Sequence, residues 1–320
     1  MKRTLTGGLL MLILLMASAV AAADDESGKP SPAIGLALGS GGAGGLAHIA
    51  MLQVFDDLRI KPAQITGTSI GAVIGGLYAA GLSAAELRAV FEEFGGSSLD
   101  LLSQLVLSDN GLNLGDVLQL DIDNGGLIDS GGFLEFLAGK IEARSFAELK
   151  IPLAVVATDY WTGETVVLKD GDLLSAIEAS MAVPGLFSPV QKDRQILIDG
   201  GTTNPLPFDL LDDGHDLVVA IDATGSRAPG EESQVSWSDA LFNTFEIMQQ
   251  SLIAERMRSG EPDIYIKPDT GDVRLLHFNQ IDSILEGAAP AAEELKSRLT
   301  QFLCEQGRDP GDAAECDASR

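Results

Sequence analysis

The chain alternates between two hydrophobic patterns, and each predicts one kind of element. Short unbroken apolar runs, Ala33-Ile34-Gly35-Leu36-Ala37-Leu38, Pro152 to Asp159 and Asp216 to Asp222, read as strands buried on both faces. Longer stretches return an apolar residue about every 3.6 positions. These predict helices over Leu46 to Leu58, Ile70 to Ala80, Gly132 to Ala143, Leu173 to Met181, Trp237 to Ser259 and Ile281 to Gln306. Ser83-Ala84-Ala85-Glu86 has the form of a capping box and starts one more helix. Further strands are expected at Gln64-Ile65-Thr66, at Thr165 to Leu168 as a hairpin partner across Thr162-Gly163, at Gln195 to Asp199, and at the edge over Asp263 to Lys267. Strands alternating with helices predict an α/β fold of three layers, a mainly parallel sheet with helices on both faces.

Two stretches break the pattern. Residues 1–23 join a basic start, Lys2 and Arg3, to an apolar run from Leu9 to Met16 and the small residues Ala17 to Ala23. That is the layout of a cleaved signal peptide, and the run is shorter than the roughly 20 apolar residues of a membrane span. The expected destination is secreted or periplasmic, an uncleaved anchor being the alternative. Residues 96–132 mix leucines, scattered glycines and carboxylates without strand alternation, and read as a helical cap or lid. Asp121-Ile122-Asp123-Asn124-Gly125-Gly126 faintly resembles a calcium loop, but the required glutamate does not follow, so a solvated turn is expected. A catalytic domain over 33–224, completed by a strand and helices within 225–320, accounts for the rest.

Charge and cysteines narrow the partners. A formal net charge of −26 argues against a nucleic-acid partner, which needs clustered Lys and Arg, and disfavours tight docking on anionic membranes. Cys304 and Cys316, with eleven residues between them, are expected to form a disulfide in an oxidising compartment. No His or Cys cluster has metal-ligand spacing.

The candidate chemistry lies where glycines crowd a strand end. Gly67-Thr68-Ser69-Ile70-Gly71 follows a predicted strand and opens a helix, as a nucleophile elbow requires. Glycines beside Ser69 suit a turn with no room for Cβ atoms. Asp199-Gly200-Gly201 closes another strand and offers a carboxylate. Upstream, Leu38-Gly39-Ser40-Gly41-Gly42-Ala43-Gly44-Gly45 supplies bare backbone N–H groups before a helix. Its Gly39, Gly41 and Gly44 also match G-x-G-x-x-G, but the acidic residue of a dinucleotide site is not at the end of a second strand; Asp56 and Asp57 fall in a predicted helix. The other use of such a loop is an oxyanion hole. A Ser-His-Asp triad would need His215 or His277, and neither has a diagnostic neighbourhood; His48 reads as a packed helix residue. A serine–aspartate dyad of Ser69 and Asp199 needs no histidine.

These stretches, with Ala179-Ser180-Met181-Ala182-Val183-Pro184-Gly185-Leu186-Phe187-Ser188-Pro189-Val190 and the continuation of the Asp199 turn through Thr202-Thr203-Asn204-Pro205-Leu206-Pro207, resemble the bacterial patatin-like phospholipases over about residues 33 to 224. The resemblance implies a three-layer α/β/α patatin-like fold, no cofactor and no metal. It further implies ester cleavage on phospholipids or lysophospholipids, with transient contact at a membrane or micelle surface. It carries Ser69 over as nucleophile, Asp199 as base, Gly41 and Gly42 as oxyanion donors, and Gly67, Gly71, Gly200 and Gly201 as motif glycines. A carboxylesterase, a lipid transacylase or a lipid-binding protein with impaired catalysis would use the same parts. One departure bears on the substrate. The family's Gly-Gly-Gly-x-Arg-Gly loop reads here Ser40-Gly41-Gly42-Ala43-Gly44-Gly45, so a serine replaces a glycine and Gly44 replaces the arginine. The missing guanidinium would have stiffened the loop or held a lipid phosphate.

Overall fold

In a computed structural model, the described residues are 31–96, 130–211, 214–225, 237–271, 273, 275–308 and 316. The expected signal peptide and nearly all of the expected 96–132 cap therefore lie outside them. Eight strands form one sheet: β1 (Ile34–Leu38), β2 (Gln64–Thr68), β3 (Leu153–Asp159), β4 (Thr165–Leu168), β5 (Val190–Lys192), β6 (Gln195–Asp199), β7 (Leu217–Ile221) and β8 (Ile264–Ile266). Strands β3-β2-β1-β7-β8 run parallel, while β4, β5 and β6 join antiparallel at the β3 side. Among the described residues the α-helices are α1 (Ala47–Asp57), α2 (Ile70–Ala80), α3 (Ala84–Gly96), α4 (Gly131–Ala138), α5 (Leu173–Met181), α6 (Trp237–Ser259) and α7 (Ile281–Glu305).

The alternation along β1 separates the two helical layers. Leu36 and Leu38 join Ile65, Val219, Ile221 and Ile266 against α1, α2, α3 and α7. Ala37 and Ala220 face the other way, onto Leu206, Phe208 and Leu211 and onto Ile253 of α6. Every β1 residue is buried, as its unbroken apolar run predicts. The sequence reading of α4 was too long: it ends at Ala138, where the Arg144 guanidinium takes the carbonyls of Ala138, Ile141 and Ala143. The capping box forms, with the Glu86 carboxylate accepting from the Ser83 N–H at 2.8 Å.

The register of β3 decides where the site falls. β2 pairs with β3 at Leu153–Val156, β4 at Val155–Thr158, and β6 at Ala157–Asp159. Strands that overlap on the same residues must occupy opposite edges, so β2 and β6 share one edge and β4 takes the other. β2 leaves that edge after Thr68, opposite Val156. β6 arrives on the next rung with Asp199 opposite Ala157. Ser69 and Asp199, distant in sequence, are brought to the same step of one strand edge.

Candidate active site

Ser69 occupies the turn between β2 and α2 with φ 55° and ψ −122°, a conformation that side-chain-bearing residues rarely adopt. The turn survives because its surroundings fix it. A Cβ on Gly71 would lie 2.2 Å from the Leu38 carbonyl oxygen, and one on Gly67 would lie 2.7 Å from the Ala72 Cα. The Ser69 N–H donates to Ser180 Oγ at 2.9 Å, and Ser180 Oγ in turn donates to the Val156 carbonyl at 2.6 Å. Ser180 is fully buried on α5. Its role had a visible signal, a serine inside the Ala179-to-Val190 motif, but the partner could not be read from sequence.

Asp199 is buried. Its Oδ1 accepts the Gly201 N–H at 2.6 Å, while Oδ2 makes no hydrogen bond of full geometry. Burial pushes its pKa up to about 7, against opposing pulls from the Ser69 hydroxyl and the Gly201 N–H. The hydroxyl is thus close enough to act on the carboxylate without being locked to it. Thr158 Oγ1 holds the Asp199 carbonyl at 3.0 Å, and Thr68 Oγ1 holds that of Asn204 at 2.8 Å, fastening the turn to β2 and β3.

The glycine loop leads into a 3₁₀ turn, Gly42–Leu46, absent from the sequence reading, which began a helix at Leu46. Gly39 donates its N–H to Ile221, Ser40 to Pro205 and Ala43 to Leu275. Between these anchors, the Gly41 and Gly42 N–H groups have no backbone acceptor among the described residues. A Cβ on Gly45 would strike the Ile70 side chain at 2.2 Å, so the loop lies directly on the elbow. Backbone N–H groups of this kind are what a developing oxyanion would need.

His48 supports this loop from behind. Its Nε2–H donates to the Gly39 carbonyl at 2.8 Å, and complete burial lowers its pKa to about 4, so the ring is neutral. His215 packs on Gly35, near the far end of β1. Gly35 pairs with Gln64, five residues before Ser69 and so roughly 16 Å away along the sheet. His277 Nδ1 lies 3.2 Å from the Gln280 amide. Among the described residues no histidine acts on Asp199. Gly44 has no positive φ, and Thr270 fills its flank, 3.3 Å from where a Cβ would stand. An arginine there is opposed by Thr270 packing and not by backbone conformation.

A strained serine and a buried carboxylate on the same strand edge, with a glycine loop packed on the elbow, make this a candidate serine acyl-transfer site. The chain belongs to the patatin-like phospholipase family, whose profile matches residues 36–212. An uncharacterized NTE family protein of Mycobacterium tuberculosis is 34% identical over 202 residues, 63% of this chain and 52% of that protein. Patatin-like phospholipase domain-containing protein 7 of Rattus norvegicus is 28% identical over 79% of this chain and 20% of its own length. The chain therefore spans about half the length of the mycobacterial relative. Among solved structures, VipD from Legionella pneumophila gives a TM-score of 0.47 at 16% identity, covering 86% of this chain and 69% of that one.

Proposed function

We propose that the protein is a serine acyl hydrolase of lipid esters that works through Ser69 and Asp199. The observation that carries this reading is the open Oδ2 of a buried Asp199 beside the Ser69 hydroxyl. Ser69 Oγ attacks the ester carbonyl carbon while its proton passes to Asp199. The carbonyl oxygen becomes an oxyanion held by the Gly41 and Gly42 N–H groups. Collapse breaks the bond to the alcohol, which leaves with the proton from Asp199. Water then attacks the acyl-serine, giving its proton to Asp199; the free acid departs and Ser69 recovers its proton. A pKa near 7 suits this shuttle, since the carboxylate accepts and returns a proton at similar cost. A fluorophosphonate probe should label Ser69 in the native protein and fail to label Ser69→Ala; equal labelling of both would end the reading.

Phospholipids or lysophospholipids are the proposed substrates, met at a neutral lipid surface. Tyr160 and Trp161 support this. They are 52% and 73% exposed in the turn between β3 and β4, past the strand end that holds the site, and their rings meet edge to face. The Asp159 carboxylate fixes that turn by accepting the Trp161 and Thr162 N–H groups. Exposed Trp and Tyr favour the lipid–water interface. Trp161→Ala should weaken binding to phosphatidylcholine vesicles by about tenfold, the effect of some 1.4 kcal/mol, while leaving turnover of a soluble short-chain ester unchanged. Unaltered vesicle binding would remove the turn from the lipid contact. Export is proposed from residues 1–23, and the Cys304–Cys316 disulfide, with Cα atoms 5.8 Å apart, suits an oxidising compartment.

A further inference from the structure

Helix α6 breaks the rule that inward positions are apolar. Phe242, Glu246, Gln249 and Ile253 fall at i, i+4, i+7 and i+11, and all four are buried. A buried amide demands partners, and those of Gln249 are telling. Its Oε1 accepts from the Ser40 hydroxyl at 3.0 Å, within the glycine loop. Its Nε2 lies against the Asp199 turn: a Cβ on Gly201 would fall 2.2 Å from Nε2 and 2.8 Å from Asp199 Oδ1. The same helix is fastened to that turn again by Arg256, which donates to the Thr203 carbonyl at 3.1 Å and to Asp209 at 2.7 Å. Ser40 is also where this chain carries a hydroxyl in place of a family glycine, which offers no such bond.

We propose that Gln249 is a positioning residue that sets the Gly41–Gly42 donors in register with Asp199. One carboxamide bonds the loop that would receive negative charge and packs against the turn that would receive the proton, so a shift of either is felt by the other. The proposal rests on the Ser69–Asp199 reading. Oxyanion donors act only within a few tenths of an ångström of hydrogen-bond distance, and a displacement near 1 Å costs about a hundredfold in rate.

The test uses the full chain and a soluble ester, so that surface binding does not enter. Gln249→Leu keeps similar bulk without the amide and should lower kcat by roughly 10- to 100-fold while KM changes less than about threefold. Gln249→Glu places a negative charge beside Asp199 and should move the acid limb of the pH–rate profile upward. Ser40→Ala should lower kcat in the same sense, and the double variant Ser40→Ala/Gln249→Leu should be no worse than Gln249→Leu alone. Ser251→Ala, on the exposed side of α6, should behave as wild type. A folded Gln249→Leu with kcat within twofold of wild type, or strictly multiplicative losses in the double variant, would overturn the proposal. If Gln249→Leu does not fold, Ser40→Ala decides: lowered kcat at constant KM supports the tie, and unchanged kcat overturns it. Retained activity in Ser69→Ala would refute the dyad instead, so the two failures are distinguishable.

Discussion

The Ser69 elbow and the Asp199 turn end neighbouring strands on one edge of β3, yet each is held in an unfavourable state of a different kind. Ser69 has a strained backbone, φ 55°, and an unremarkable hydroxyl. Asp199 has a relaxed backbone, φ −48° and ψ 132°, and a carboxylate displaced by burial to a pKa of about 7. The proposed nucleophile is prepared by geometry and the proposed base by exclusion of water. Rigid packing and hydrogen bonds maintain the first; burial away from water maintains the second.

Removing either reacting group should be the largest effect. Ser69→Ala and Asp199→Asn should each lower esterase kcat/KM by roughly 10⁴-fold or more, because a dyad acts as a unit. A folded variant keeping a tenth of the activity would break the pairing. Their stabilities should differ. Folded Asp199 keeps its proton up to about pH 7, whereas the unfolded chain sheds it near the ordinary 3.8. The folded state thus binds more protons across that window, so wild-type stability falls from about pH 4 to 7 and is level above. Asn has no proton to lose, so the Tm of Asp199→Asn should gain on wild type over the same window. A constant Tm difference from pH 4 to 8 would contradict the burial argument.

Next comes the pH dependence of catalysis. The base works ionised, so kcat/KM should rise through a midpoint near 7 and plateau above it. At pH 5 the ionised fraction, and with it the rate, should be about a hundredfold lower. A profile flat down to pH 5 would show a base of ordinary pKa.

Two paired deletions then sharpen the contrast. Ser180→Ala leaves the Ser69 N–H and the Val156 carbonyl without their bonds, and should cost about 1–3 kcal/mol of stability with at least a roughly tenfold loss of kcat. Thr158→Val removes a bond to the Asp199 carbonyl and should cost similar stability, with only a few-fold loss of rate. A backbone slip matters less to a group governed by its surroundings. Equal rate losses, measured on protein of matched folded fraction, would erase the distinction.

Local pattern made most elements legible. α2, α5 and α6 have the expected ends, and the apolar runs of β1, β3 and β7 are buried strands. β5 was missed because Val190-Gln191-Lys192 is three residues with one apolar position, too short for alternation to register. The candidate site residues Ser69, Asp199, Gly41 and Gly42 are marked in the sequence by glycines, whose sterics are local. That Ser69 and Asp199 would come together was not legible, since it depends on which edge of β3 each strand takes. Ser180 and Gln249 were missed for the same reason: a buried polar residue shows in sequence only as a fault in an apolar stripe, and its partner lies far along the chain.

The anchors of the glycine loop carry a consequence for how the protein is made. Pro205, Ile221, Gln249 and Leu275, which receive the loop's bonds, all follow both reacting residues in the chain. During synthesis, a ribosome that has released the segment through Gly201 has delivered the serine and the aspartate but none of these supports. The proposed lipid-cutting centre is therefore finished late, after the segment through Leu275 has folded against the loop. A cell making this protein carries incomplete chains in which the tools are present and the vice is still missing.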